Sequence, residues 1–149
     1  MNAREVPMQF DWIIQPYIGI KDRLSGIELR FNDPRSHIRS LLGECEKSFL
    51  KSRLSVSPTD SYEQVGFHLF YDAQDRLNFI EAFPESQLKY EETSFFGMTK
   101  SELVLFSKSS DIEILFLDSA SCQIDTLGIS LYIGDHVEGT SVFRRGYYE

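Results

Sequence analysis

Two stretches of alternating apolar and polar residues dominate the chain. The first runs Val65-Gly-Phe-His-Leu-Phe-Tyr71, passes a polar turn, and continues as Leu77-Asn-Phe-Ile-Glu-Ala-Phe83. The second runs Leu127-Gly-Ile-Ser-Leu-Tyr-Ile133, turns, and continues from Val137 to Phe143. β-Branched and aromatic residues at period two, bounded by Asp, Gly and Arg, predict a β-hairpin at each place. The first hairpin turns near Asp72–Arg76 and the second near Gly134–His136. Placing Tyr71 opposite Leu77 sets Leu69 against Phe79, Phe67 against Glu81 and Val65 against Phe83. In that register Glu81 stands in an otherwise apolar row, and His68, Phe70, Asn78 and Ile80 form the other face.

Helical signals precede each hairpin. Asn32-Asp33-Pro34 reads as a helix start, with Asp33 as N-cap and Pro34 at the first helical position. Ile38, Leu41 and Leu42 then share a face, Arg35 and Arg39 fall opposite, and Gly43 is a stop. Thr99 and Glu102 form a capping box for a second helix whose apolar face holds Leu103 and Phe106. Residues 1–20 predict a short strand and a turn, with Trp12 in the core. Residues 44–60 read as a strand and a loop ending at Ser57-Pro58, with Phe49, Leu54 and Val56 as isolated apolar points. Pro84–Glu92 reads as a linker, Asp111–Asp118 as a strand and Ser119–Thr126 as a turn.

The two halves overlay. Phe31 falls on Phe96, Ile38 on Leu103 and Leu41 on Phe106, each 65 residues apart in sequence. Gly66 falls on Gly128, Leu69 on Leu131 and Phe70 on Tyr132 at a spacing of 62, and Phe83 on Phe143 at 60. The order helix, strand, hairpin then occurs twice, with the drift taken up in loops. The expected fold is α+β: two helix-plus-antiparallel-strand repeats, about 20–84 and 93–149, sharing a sheet with the helices mainly on one face. A chain of 149 residues fits one domain, or two small halves around one core.

Charge narrows the partners. The net charge is −8, and residues 60–138 carry fifteen Asp and Glu against four Lys and Arg. Phosphate contacts need the opposite sign, so nucleic acid is not an expected partner. An acidic field steers a basic protein instead. No apolar run has the roughly 20 residues of a membrane helix, so no membrane is expected. Met1–Pro7 lacks the apolar region of a signal peptide, which suggests the cytoplasm. Cys45 and Cys122 lack CxxC spacing and are expected as reduced thiols.

Little in the chain carries chemistry. Its glycines start no phosphate-binding pattern. His37, His68 and His136 have no ligand spacing, so no metal or other cofactor is expected. Glu81 and His68 are the residues a weak enzyme would use. Exposed aromatics carry more weight. On the side of the sheet away from Phe67 and Leu69, His68 and Phe70 in one copy match Ser130 and Tyr132 in the other, and Tyr147 and Tyr148 follow the last strand. Aromatics amid acidic groups suit a protein interface. The expected partner-binding set is His68, Phe70, Tyr132, Tyr147 and Tyr148, with a rim of Asp60, Glu63, Asp118 and Asp125.

The run Gly26-Ile-Glu-Leu-Arg-Phe-Asn-Asp-Pro-Arg-Ser-His-Ile-Arg-Ser-Leu-Leu-Gly-Glu44 resembles the opening motif of small bacterial two-copy α/β domains. That group includes the β-lactamase inhibitory protein and the small outer-membrane assembly lipoproteins. Arg30-Phe31 stands where the group has Gly-Met, and His37-Ile38 where it has Glu-Val. The whole layout, to Ser-Val-Phe-Arg-Arg-Gly-Tyr-Tyr-Glu149, is similar to cytoplasmic immunity proteins of bacterial toxin systems, including contact-dependent growth inhibition. The resemblance implies a non-enzymatic inhibitor of a cognate toxin, and a basic nuclease surface is what an acidic blocker would fit. The alternative is a small-molecule-binding or regulatory α+β domain with a pocket between helices and sheet.

Overall fold

Three short strands open the fold: β1 (Trp12–Gln15), β2 (Gly19–Asp22) and β3 (Glu28–Arg30), paired antiparallel in that order. This is a computed structural model describing residues 9–50 and 57–148. Met1–Pro7, Leu54, Val56 and Glu149, all read above, lie outside the described residues. Where the sequence predicts one strand and a turn, Gly19 and the turn at Asp22–Gly26 allow a small sheet. Trp12 is fully buried, stacked on Phe10 at 5.2 Å and edge-on to Phe67 at 5.3 Å.

Helix α1 (Arg35–Leu42) begins one residue later than predicted, with Pro34 rather than Asp33 at the N-cap. The carbonyl of Asp75 accepts from the Arg35 N–H at 3.0 Å, so no side-chain cap is needed. The Asp33 carboxylate accepts instead from the Arg30 N–H. Gly43 closes α1 with φ +84°, as a C-cap glycine does. Helix α2 (Lys100–Ser110) has the predicted capping box. The Glu102 N–H donates to the Thr99 hydroxyl, and the Thr99 N–H donates back to the Glu102 carboxylate.

The other strands build one antiparallel sheet. They are β4 (Lys47–Phe49), β5 (Thr59–Tyr62), β6 (Phe67–Tyr71), β7 (Leu77–Ala82), β8 (Leu115–Phe116), β9 (Ser121–Ile124), β10 (Ile129–Ile133) and β11 (Val137–Phe143). Their spatial order is β4-β5-β6-β7-β11-β10-β9-β8. The described residues thus form a mixed, mostly sheet fold of two helices and eleven strands in two antiparallel sheets, broadly α+β. β9 lies where a turn was predicted, and β5 follows directly on the loop predicted to end at Ser57-Pro58. The predicted strand 111–118 shrinks to the two residues of β8.

Both hairpins turn where expected, but the first is not in the predicted register. Tyr71 pairs with Leu77 and Phe70 with Phe79, so Asn78 is bulged out. Beyond the bulge every side chain changes face. Leu69 now opposes Ile80, Phe67 opposes Ala82, and Glu81 opposes His68. The energetic reason is plain. The bulge puts Ile80 and Ala82 into the core, where both are fully buried, and spares the core an unpaired carboxylate. Glu81 is therefore not in an apolar row, and Phe83 lies on the same face as His68.

The inner face carries Phe67, Leu69, Tyr71, Ile80, Val142, Ile129, Leu131 and Ile124, in one core with Trp12, Ile20 and Leu29 of the small sheet, Ile38 of α1 and Leu103 of α2.

Candidate functional site

Strand pairing orders the outer face of the large sheet into rows. The middle row is polar up to its last member: Lys47, Ser61, His68, Glu81, Ser141, Ser130, Gln123 and Leu115 are successive cross-strand partners. On one side lies an aromatic row in which Phe70 pairs with Phe79 and Phe79 with Phe143. On the other side Tyr132 lies between Gly139 and Ser121, and Phe83 follows Glu81 along the chain. Rings pack within and between rows. The His68 ring stands edge-on to Phe83 at 4.8 Å and to Phe49 at 5.5 Å, and Phe70 is edge-on to Phe79 at 5.5 Å.

The face is open at one end and partly roofed at the other. Tyr132 is 57% exposed, although its strand neighbours Leu131 and Ile133 are buried. At the opposite end the segment after β11 folds back. Tyr147 lies 4.8 Å from Phe79, and Tyr148 stands edge-on to Phe143 at 5.0 Å. Phe143, Tyr147 and Tyr148, with Tyr17, Gln123, Asp125 and Arg145, line a pocket of about 290 Å³.

The predicted residues divide accordingly. His68, Phe70 and Tyr132 share the outer face, with Tyr147 and Tyr148 packed against it. Glu63 and Asp118 are exposed at the end of the sheet where Tyr132 lies; Asp125 is exposed at the other end, beside Tyr148. Asp60 does not stand at the rim where the sequence predicts it. It points inward, is fully buried, and accepts from Arg35 and Arg39, so it belongs to no rim. A carboxylate enclosed by two guanidinium groups satisfies its charge inside the fold. Phe49, Phe83 and Tyr17 were missed as site residues. Phe83 changes face at the Asn78 bulge, and Tyr17 reaches the sheet from a distant turn.

Ser61, His68 and Glu81 stand in the order serine, imidazole, carboxylate. His68 Nδ1 lies 3.3 Å from Glu81 Oε1. The Ser61 hydroxyl, however, is buried and makes no hydrogen bond, so the contact that activates a serine nucleophile is missing. Cys122 is a buried free thiol, and burial pushes its pKa up to about 11, away from the reactive thiolate. Among the described residues no three His, Cys, Asp or Glu side chains converge as a metal site would require. Nor is any described helix long and apolar enough to cross a membrane. Another depression, about 510 Å³ beside α1, is shallow and lined largely by polar residues including Glu28, Arg30, Asp33 and His37.

No protein-family model, curated protein or solved structure matches the chain.

Proposed function

We propose that this chain is a protein-binding inhibitor of the immunity type, which neutralises a cognate toxin by covering its active or binding surface. The observation that carries this reading is the outer sheet face. Aromatic rings border a polar row there, and Tyr132 stands out into solvent. Interfaces of this kind draw their affinity from a few aromatic anchors inside a polar surround. Blocking needs burial of the partner's site and no chemistry from the blocker. The acidity of residues 60–138 favours a partner with a basic surface, as a nuclease has, and speeds its approach. An inhibitor of this kind would work in the cytoplasm of the cell it protects.

A second part of the reading is that the sheet is built from two copies of one unit, each a helix followed by four strands. Several details support it. Asn78 and Glu138 are bulged at the same place in their hairpins, one residue into the second strand. Gly66 and Gly128 both have positive φ, and their carbonyls accept from the matching Phe83 and Phe143 N–H groups at 2.9 and 3.0 Å. β7 and β11, the last strands of the two units, pair with each other at the centre of the sheet.

The test is to purify the partner with the tagged chain from its native host, at low and high salt, and reconstitute the pair. Stoichiometric loss of the partner's activity supports the reading; an active partner in a saturated complex contradicts it.

A further inference from the structure

The pocket at the roofed end of the outer face is built at some cost. Tyr17 forms one wall with φ at +64°, a left-handed backbone that bulky residues rarely adopt. Its hydroxyl donates to the Asp125 carbonyl, and its ring is edge-on to Phe143 at 6.1 Å. Gly128, with φ +65°, leaves the room: a Cβ there would meet the Tyr17 ring at 3.1 Å. Phe143, Tyr147 and Tyr148 complete the walls, and Gln123, Asp125 and Arg145 set the polar edge.

We propose that this pocket receives one neutral aromatic side chain from the protein that docks on the outer face. The proposal rests on the docking reading above and names the group that anchors it. Wall chemistry favours a flat ring: the pocket, about 290 Å³ and roomy enough for one, is bounded by four aromatic side chains. Charge selects neutrality. The Arg145 guanidinium already lies 4.2 Å over the Tyr17 ring, so an incoming cation meets like charge on a face already taken. An incoming anion is drawn by Arg145 but repelled by Asp125 at the same edge, so neither sign of charge gains net attraction. A phenol or indole meets neither obstacle, and its polar tip finds the Gln123 amide or the Asp125 carboxylate at the edge.

The experiment is an amide NMR titration of the full chain with p-cresol, butylguanidinium and butyrate in parallel. p-Cresol should give saturable shifts centred on Gln123, Asp125, Tyr147 and Tyr148, with affinity about tenfold weaker in Tyr148→Ala, a loss of one edge-to-face contact. Tyr148 is 59% exposed, so that variant keeps the core intact. The other two probes should give no saturable shift there. Non-saturating p-cresol shifts, or butylguanidinium binding as well as p-cresol, would overturn the proposal. The two readings fail separately. If p-cresol does not bind but Tyr132→Ala still weakens partner binding, only the pocket is wrong. If p-cresol binds and outer-face substitutions leave partner binding unchanged, the ring site stands and the anchoring role falls.

Discussion

Arg35 on helix α1 donates to the fully buried carboxylate of Asp60 on β5 at 2.6 Å. Arg39, one turn on, donates to both oxygens of the same carboxylate at 2.9 Å, and the Ser48 hydroxyl adds a longer bond. One carboxylate thus ties α1 to the edge of the large sheet. Asp60→Ala takes from Arg39 its main partner and from Arg35, whose side chain is only 10% exposed, the buried one of its two carboxylates, leaving it Asp75. The expected loss is about 3–5 kcal/mol, the usual cost of removing one partner of a buried ion pair. Urea unfolding measures it, and a loss under about 1 kcal/mol would mean the pairing is worth no more than a surface salt bridge.

Acid should unfold the protein through carboxylates held in charged form. The Asp22 carboxyl is pushed up by burial, but hydrogen bonds from the Asp11, Ser25 and Leu24 N–H groups and the Ser25 hydroxyl outweigh this and leave it below the ordinary value of 3.8. The Arg35 guanidinium, followed by the Ser57 hydroxyl, holds Asp75 low as well. Groups with depressed folded pKa values contribute stability above their unfolded pKa and lose it as pH falls through the folded value. The urea midpoint should therefore stay level from neutral pH to about 5 and fall steeply below about 4. Asp22→Asn should be less stable at neutral pH and show a shallower acid limb.

Gly66 has φ +94°, and a Cβ there would lie 2.5 Å from the Ser86 backbone nitrogen. Backbone cannot yield as a flexible side chain does. Gly66→Ala should cost about 1–3 kcal/mol from the strained dihedral alone. Gly128→Ala, whose nearest contacts are the Tyr17 ring at 3.1 Å and the Phe143 carbonyl at 3.3 Å, should cost less. Thermal unfolding of the two variants checks the order; equal or reversed losses would contradict the contact geometry.

The features legible in the sequence were local ones. Thr99 and Glu102 sit three residues apart, so their capping box needs no tertiary information. The hairpin turns are marked by their own residues. The register of the first hairpin was not legible, because a single bulged residue, Asn78, has no composition signature and yet moves Glu81 and Phe83 to another face. Asp60 resembled any surface aspartate, since the guanidinium groups that bury it come from a helix 21 and 25 residues earlier. The small sheet was hard to see because its strands hold only three or four residues. For the candidate site, His68, Phe70 and Tyr132 were placed on one face by period-two alternation. Tyr17 was not, because its role depends on a turn reaching across the fold.

We propose that the partner docks on the outer sheet face and not on the helical side. Dissociation of the purified partner from two variants tests it most directly. Tyr132→Ala removes an exposed ring from the outer face, whereas Leu105→Ala removes an equally accessible side chain, 65% exposed, from α2. Tyr132→Ala should shorten the lifetime of the complex by about thirtyfold, the equivalent of a hot spot near 2 kcal/mol, and Leu105→Ala should leave it unchanged. A complex that ignores Tyr132→Ala and is weakened by Leu105→Ala would place the interface on the helices and contradict the account.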